Sequence, residues 1–356
     1  MKKELLTRSE CSVLRGIAII GIFLHNYCHW LNPIVKENEY QYFQHNVDWF
    51  TQVMVHSDGK ILMHLLSFFG HYGVPIFLFL SAYGLVCKYE STAYLEKHHD
   101  SIFQFIRYHF MKLFKMMIVG FVAFLMVDRL TPGPWNYSVI DVVAQLGLVN
   151  NFLVNPDRHI WPGPYWFFGL MLQLYIIYRL LLYRRSWKWT VGAMVVCWLA
   201  QIFCDPEGET LNYIRYSSIG GVLPFGLGLL YAHFGKQLST QQNAIMVVVS
   251  AILIVAGSYS YQTWYFVPVF VCTFSVGMVK MLTALASHFS IFSFLFNRLN
   301  WVGSISAALF VSHPITRKIF IVISRNGDMY TGLLIYAIVS LCLAWVFHLL
   351  MEKLPK

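Results

Sequence analysis

Charge is scarce in this chain. Of its 356 residues only 12% are Asp, Glu, Lys or Arg, about half the share of an average soluble domain, and 57% are apolar or aromatic. That excludes an ordinary soluble enzyme, because no single core of this size could hide so much apolar surface. Thiol pairing is missing as well. The seven cysteines (Cys11, Cys28, Cys87, Cys197, Cys204, Cys272 and Cys342) are scattered through apolar runs without any C-x-x-C, so neither a disulfide framework nor a cysteine-rich metal site is expected, and they read as buried small residues. No G-x-x-x-x-G-K-[ST] loop supports ATP-driven chemistry, and no H-E-x-x-H supports a zinc hydrolase. Gly/Ser linkers, soluble-sized polar blocks and visible internal repeats are all lacking, which points to one domain over residues 1–356. The basic N-terminus leads into an apolar run without a small-residue cleavage site, and a retained first helix is expected.

What remains is a chain built to meet lipid. Its mean hydropathy is +0.56, and ten runs approach the roughly 20 apolar residues that a bilayer crossing needs. They lie at 11–32, 65–87, 108–127, 164–183, 189–204, 216–234, 243–259, 263–283, 300–323 and 331–351. The stretch 138–154 is too polar for a span and reads as a half-buried interfacial element. The expected fold is an all-α, polytopic membrane bundle of about ten transmembrane helices. If both termini are cytoplasmic, the inner segments carry 18 Lys and Arg and the outer loops six, as the positive-inside rule requires. The net charge of +9 therefore reflects topology, and nucleic acid is not an expected partner.

Polar residues inside spans are costly and mark candidate sites. In LRGIAIIGIFLHNYCHW, Asn26 falls about 20° from Arg15 on a helical wheel, His29 about 40° and His25 about 80°. All four share a face, with His25 about 15 Å along the axis from Arg15. This arrangement suits a ligand with an anionic and a reactive end; the alternative is a snorkelling Arg15 and satisfied interior histidines. His25 and His29 are also an i, i+4 pair, but no third or fourth ligand is evident and no metal site is expected. In the ninth span His313 precedes Pro314, which should loosen the turn beside the imidazole. The second span has small residues, Ser81 among them, that read chiefly as helix packing. The aromatic stretch around Trp166 reads as an interfacial belt, with Gln173 as a polar contact beyond it.

Four of these segments together resemble the acyltransferase family 3 integral membrane proteins. They are LRGIAIIGIFLH (14–25), FFGHYGVPIFLFLSAYGL (68–85), YWFFGLMLQLY (165–175) and WVGSISAALFVSHPI (301–315), in the family's order. The resemblance runs from about residue 9 to 350. It implies a ten-helix bundle in the bacterial inner membrane that acylates a hydroxyl of a cell-surface saccharide or lipid-linked sugar. The acyl group, acetyl in the simplest case, would come from acetyl-CoA or another acyl-CoA as a donor substrate, with no permanently bound cofactor. His25, His313 and His29 would be the catalytic residues, Arg15 and Asn26 would contact the donor, and Ser81, Trp166 and Gln173 the substrate. Three positions depart from the family pattern. Nine residues, where the family has ten, separate Arg15 from His25, which puts Asn26 in the usual place of the histidine and makes His29 the substitute base. Ser81 is followed by Ala82 where glycine is usual, and Gln173 replaces an acid. A neutral histidine would take the proton of the attacking hydroxyl; a covalent acyl-histidine is the second route. The alternative from another class is a transporter or flippase for a lipid-linked sugar or small anion, which would leave acyl-CoA uncleaved.

Overall fold

The computed structural model describes residues 4–97, 100–132 and 137–353, and among them the regular structure is helical throughout. The first helix, α1 (Arg8–Cys28), starts where Thr7 and Glu10 cap each other reciprocally. An outer connection with α2 (Gln44–Val55) leads to the second span, α3 (Ile61–Phe69) and α4 (Gly73–Tyr89), joined by a tight turn at Gly70–Tyr72. Then come the long α5 (Ile102–Leu130), the short α6 (Val139–Leu146), and α7 (Trp166–Ile177) with a wider last turn. The rest of the bundle is α8 (Trp187–Ile202), α9 (Glu209–Arg215), α10 (Ser218–Phe234), α11 (Thr240–Ser258), α12 (Val267–Ala286), α13 (Ser290–Ser304), α14 (Ser306–Asn326) and α15 (Met329–Glu352).

Among the described residues eight helices are long and apolar enough to cross a membrane, or nine if α9 and α10, bent by 44° to each other, make one broken span. The chain is thus a polytopic helix bundle. The tenth expected span is α8, whose 16 residues cover about 24 Å, short of the roughly 30 Å of hydrocarbon. The ninth span also starts later than expected, at Ser306. Residues 300–304 belong instead to α13, which lies against α1: Gly303 sits on the Ser12 carbonyl, and Ser12 Oγ donates to the Asn300 carbonyl at 3.0 Å. The half-buried reading of 138–154 agrees with α6, which exposes Val139, Ile140 and Val143 and buries Asp141, Ala144 and Gln145. The cysteines differ from expectation. All seven are free, but Cys28 and Cys272 alone are buried, and Cys87 and Cys342 are exposed on apolar helices where lipid would cover a thiol at little cost.

Burial separates the centre of the bundle from its rim. The most apolar windows of α14 and of Gly163–Leu182 are 67% buried and that of α1 is 56% buried, whereas that of α11 is 17% buried. Helix α1 is central because small residues let its neighbours close on it: a Cβ on Gly70 would lie 2.5 Å from His25 Cβ and 2.7 Å from the Gly21 carbonyl, and Gly73 abuts Ala18. Helix α14 runs parallel to α1, since Arg317 reaches Asn26, Tyr27 reaches Phe320 and Ser324, and Arg325 reaches Trp30. Two buried ion pairs tie the helices further, Lys280 to Glu10 at 2.8 Å and Lys318 to Asp128 at 2.7 Å.

Candidate active site

The C-terminal end of α1, the start of α4, the approach to α7 and the second half of α14 meet around a cavity of about 300 Å³. It lies at the end of the bundle away from the chain termini. His25 and Asn26 come from α1, His29 and Trp30 from the turn that ends it, His71 from the turn before α4, Arg317 from α14, and Glu37, Glu39 and Tyr40 from the connection that follows α1. Ile22, Val74, Phe167 and Phe310 add apolar lining to it, Ile22 one turn before His25 on α1.

His25 is 3% exposed. Its Nδ1 lies 2.8 Å from the Ser67 carbonyl oxygen, which can only accept, so Nδ1 carries the proton and Nε2 keeps a lone pair. That Nε2 is 3.9 Å from Glu37 Oε1, and His29 Nδ1 is 3.0 Å from the same oxygen. The α1 register sets this up by stacking His25 and His29 one turn apart, ring centroids 4.9 Å from each other. Burial alone would raise the Glu37 carboxyl, but the two imidazoles hold it well below the usual carboxylate range. Glu39, buried beside the Glu37 charge, is instead pushed up to about 8, despite Arg215 nearby. The third imidazole, His71, has its centroid 5.7 Å from that of His25, and its Nδ1 is buried without a hydrogen-bond partner.

The site residues expected from sequence divide into three groups. His25, Asn26, His29 and Trp166 line the cavity together. His313 stands behind its wall, fully buried, with Nδ1 donating to the Leu309 carbonyl at 3.0 Å and Nε2 without a partner. The turn at Pro314 stays helical: Thr316 Oγ1 donates to the His313 carbonyl at 3.0 Å, and the Tyr165 hydroxyl to the Val311 carbonyl at 2.9 Å. Arg15, Ser81 and Gln173 lie elsewhere. Arg15 is exposed near the terminal end of α1, about 16 Å in axial rise from Asn26. Asn26 therefore does not share a contact with it and instead accepts from Arg317 at 3.2 Å. Ser81 pairs with the Tyr175 hydroxyl at 3.0 Å, and Gln173 Oε1 accepts the Ser218 N–H at the start of α10.

Sequence reasoning missed Glu37, Glu39, His71, Asp157 and Arg317. The available signals were a K-E-N-E run within 15 residues of His25, and a histidine inside the G-H-Y-G that was read as packing. It also missed a third metal ligand. His25, His29 and Glu37 offer ligand atoms within 4.8 Å of one another and are the residues that could hold a divalent ion, with the Ser67 carbonyl orienting His25 from behind. A metal there would occupy the His25 lone pair. Left free, that lone pair can take a proton from a hydroxyl in the cavity.

A buried histidine and acid cluster at one end of a helical membrane bundle defines a class, the integral multi-pass membrane proteins with an enclosed polar site. The chain belongs to the acyltransferase 3 family, whose model, described as an acyltransferase domain, matches residues 10–349, and it is a membrane acyltransferase. Comparisons with curated proteins and with solved structures return no match.

Proposed function

We propose that this protein is an O-acyltransferase of the bacterial inner membrane that moves an acyl group, acetyl in the simplest case, from acyl-CoA to a hydroxyl of a cell-surface saccharide or lipid-linked sugar. The observation that carries this reading is the His25 ring, held through Nδ1 on the Ser67 carbonyl with Nε2 toward the cavity. Nε2 takes the proton of the acceptor hydroxyl as its oxygen attacks the thioester carbonyl. The new C–O bond forms, the C–S bond breaks, and the proton passes from His25 to the departing thiolate. Glu37, 3.9 Å from Nε2, stabilises the imidazolium in between. No metal is required, since a thiolate leaves readily.

A sugar suits the walls. Trp30, Trp161, Trp166 and Tyr40 offer flat, amphipathic faces, and carboxylates among them can accept sugar hydroxyl protons. Arg15, about 15 Å from His25 along α1, would hold a phosphate of the donor at the terminal end. That distance calls for a long flexible arm between phosphate and thioester, which coenzyme A has.

Thiol release from acetyl-CoA by the purified full-length protein tests the reading. Release that needs a hydroxyl acceptor, resists EDTA and disappears in His25→Ala supports it. A protein that leaves acyl-CoA intact with envelope glycans as acceptors is a transporter or flippase instead, and loss of release on chelation alone would give the His25, His29 and Glu37 cluster to a metal.

A further inference from the structure

Every acid in the cavity has a partner of its own. Glu37 is matched by His29 at 3.0 Å. Asp157 accepts from the Tyr216 hydroxyl and from Asn212 Nδ2, both at 2.5 Å. Glu39 lies beside Arg215, whose Nε donates to the Glu39 carbonyl at 2.8 Å.

Arg317 is the exception in the other direction. Its side chain lines the cavity and is 6% exposed, yet among the described residues no carboxylate lies within ion-pair distance of it. Its contacts are Nη1 to the Asn26 carbonyl at 3.3 Å, Nη1 to Asn26 Oδ1 at 3.2 Å, and the Trp30 ring, 5.3 Å from Cζ. The next residue, Lys318, turns to another face of α14 and has Asp128 at 2.7 Å. Two neighbouring cations of one membrane helix are thus treated differently: one is neutralised by the fold and the other is left for something else. A guanidinium withdrawn from water without a counter-ion is costly, and its planar fork is shaped for the paired oxygens of a phosphate or carboxylate. Asn26 and Trp30 fix its position but cannot neutralise it.

We propose that Arg317 is an anion-binding subsite of the acceptor cavity, so that the acceptor of this acyltransferase carries a phosphate or carboxylate close to the hydroxyl that is acylated. The proposal rests on the acyl-transfer reading for the word acceptor, but the subsite is a matter of binding alone. Asn26 holds the guanidinium on the α1 face adjoining His25, so an anion seated there leaves the rest of a sugar ring between the aromatic walls and the His25 Nε2. Asn26 then serves as a positioning residue for Arg317.

The test uses the full-length protein in nanodiscs, titrated by calorimetry with glucose 1-phosphate, glucuronate and methyl glucoside. At least one of the two anions should bind wild type about tenfold or more tightly than the neutral glucoside, and the better one identifies the anion as phosphate or carboxylate. Arg317→Gln should remove that preference while leaving the glucoside affinity within about twofold, and Arg317→Lys should retain part of it. If the Gln variant does not fold, the Lys variant decides: a severalfold weaker anion at constant glucoside affinity supports the subsite, and an unchanged anion overturns it. Equal binding of all three probes to wild type overturns the proposal, as does a preference that survives in Arg317→Gln. So does a slowing of acetyl-CoA cleavage with methyl glucoside as acceptor in Arg317→Gln at unchanged probe affinities, which would make Arg317 a stabiliser of the reacting carbonyl. His25→Ala should keep the anion preference and lose cleavage. Should wild type bind the anion but cleave no acyl-CoA, the acyl-transfer reading fails and the subsite stands.

Discussion

At the scale of single residues, the three histidines separate by what each nitrogen touches. Deleting a general base removes a contribution of about 10²–10⁴-fold; His25→Ala should therefore lower kcat by that order while expression and detergent stability hold, as size-exclusion profiles and turnover would reveal. His29 bonds Glu37 and is nearer the mouth, where water can replace it, and His29→Ala should cost tenfold or less. If His29→Ala is dead and His25→Ala still turns over, the short spacing from Arg15 has moved the base to His29. His313→Ala should be severe through loss of packing behind the wall, visible as a lower Tm along with lower activity, because a fully buried ring there leaves a void. Arg15→Lys should impair donor use nearly as much as Arg15→Ala if a bidentate phosphate contact is made; full activity in the lysine variant would leave Arg15 a topology anchor. Glu39 gives a pH signature. Its carboxyl is raised in the folded state to about 8, so the stability it lends is complete below the unfolded value near 4.5 and is lost as pH rises through about 8. Wild-type Tm should fall between about pH 5 and 8, and Glu39→Gln, which mimics the protonated form, should flatten that fall. The α1 histidines were legible in sequence because a helix puts them on one face by arithmetic. Glu37, Glu39 and Arg317 were not, because they reach the cavity through a loop path and through the docking of α14, neither of which periodicity encodes.

At the scale of elements, close approach explains how the site is held. Gly70 lies where a Cβ would meet His25 Cβ at 2.5 Å and the Gly21 carbonyl at 2.7 Å. Gly70→Ala must push the α3 and α4 turn away from α1, and overpacking of this kind costs about 1–3 kcal/mol. The same shift lengthens the His25 to Ser67 bond, so a fall in kcat larger than the loss of stability implies is expected from paired melting and turnover measurements. Gly84→Ala, with nothing within 4 Å of an added Cβ, should leave activity unchanged and is the control. Hydropathy located most spans within a few residues, since burial in lipid is a property of runs. It misplaced the start of the ninth because the break at Ile305 follows from α13 lying against α1 at Gly303, a tertiary contact. It counted α8 as a span by composition, and at 16 residues that helix is shorter than a straight crossing of the hydrocarbon needs.

For the whole molecule, ten crossings with α8 among them and the 18 to 6 division of basic residues predict both termini and the 235–242 connection in the cytoplasm. Single cysteines replacing Lys36 or Asp205 should label from outside the cell, and ones replacing Lys97 or Lys236 should be protected; the reversed pattern would invert the molecule. The cavity, at the end away from the termini, would then lie on the outer side, with Ile22, Val74, Phe167 and Phe310 in its apolar lining. That placement bears on acidity. A His25 that lines a cavity on the outer side exchanges protons with the medium there, so the acid limb of the activity in sealed vesicles should follow the pH on the cavity side rather than the pH on the other. An organism that acidifies its surroundings would be switching this enzyme off from without, while its own cytoplasm stayed neutral.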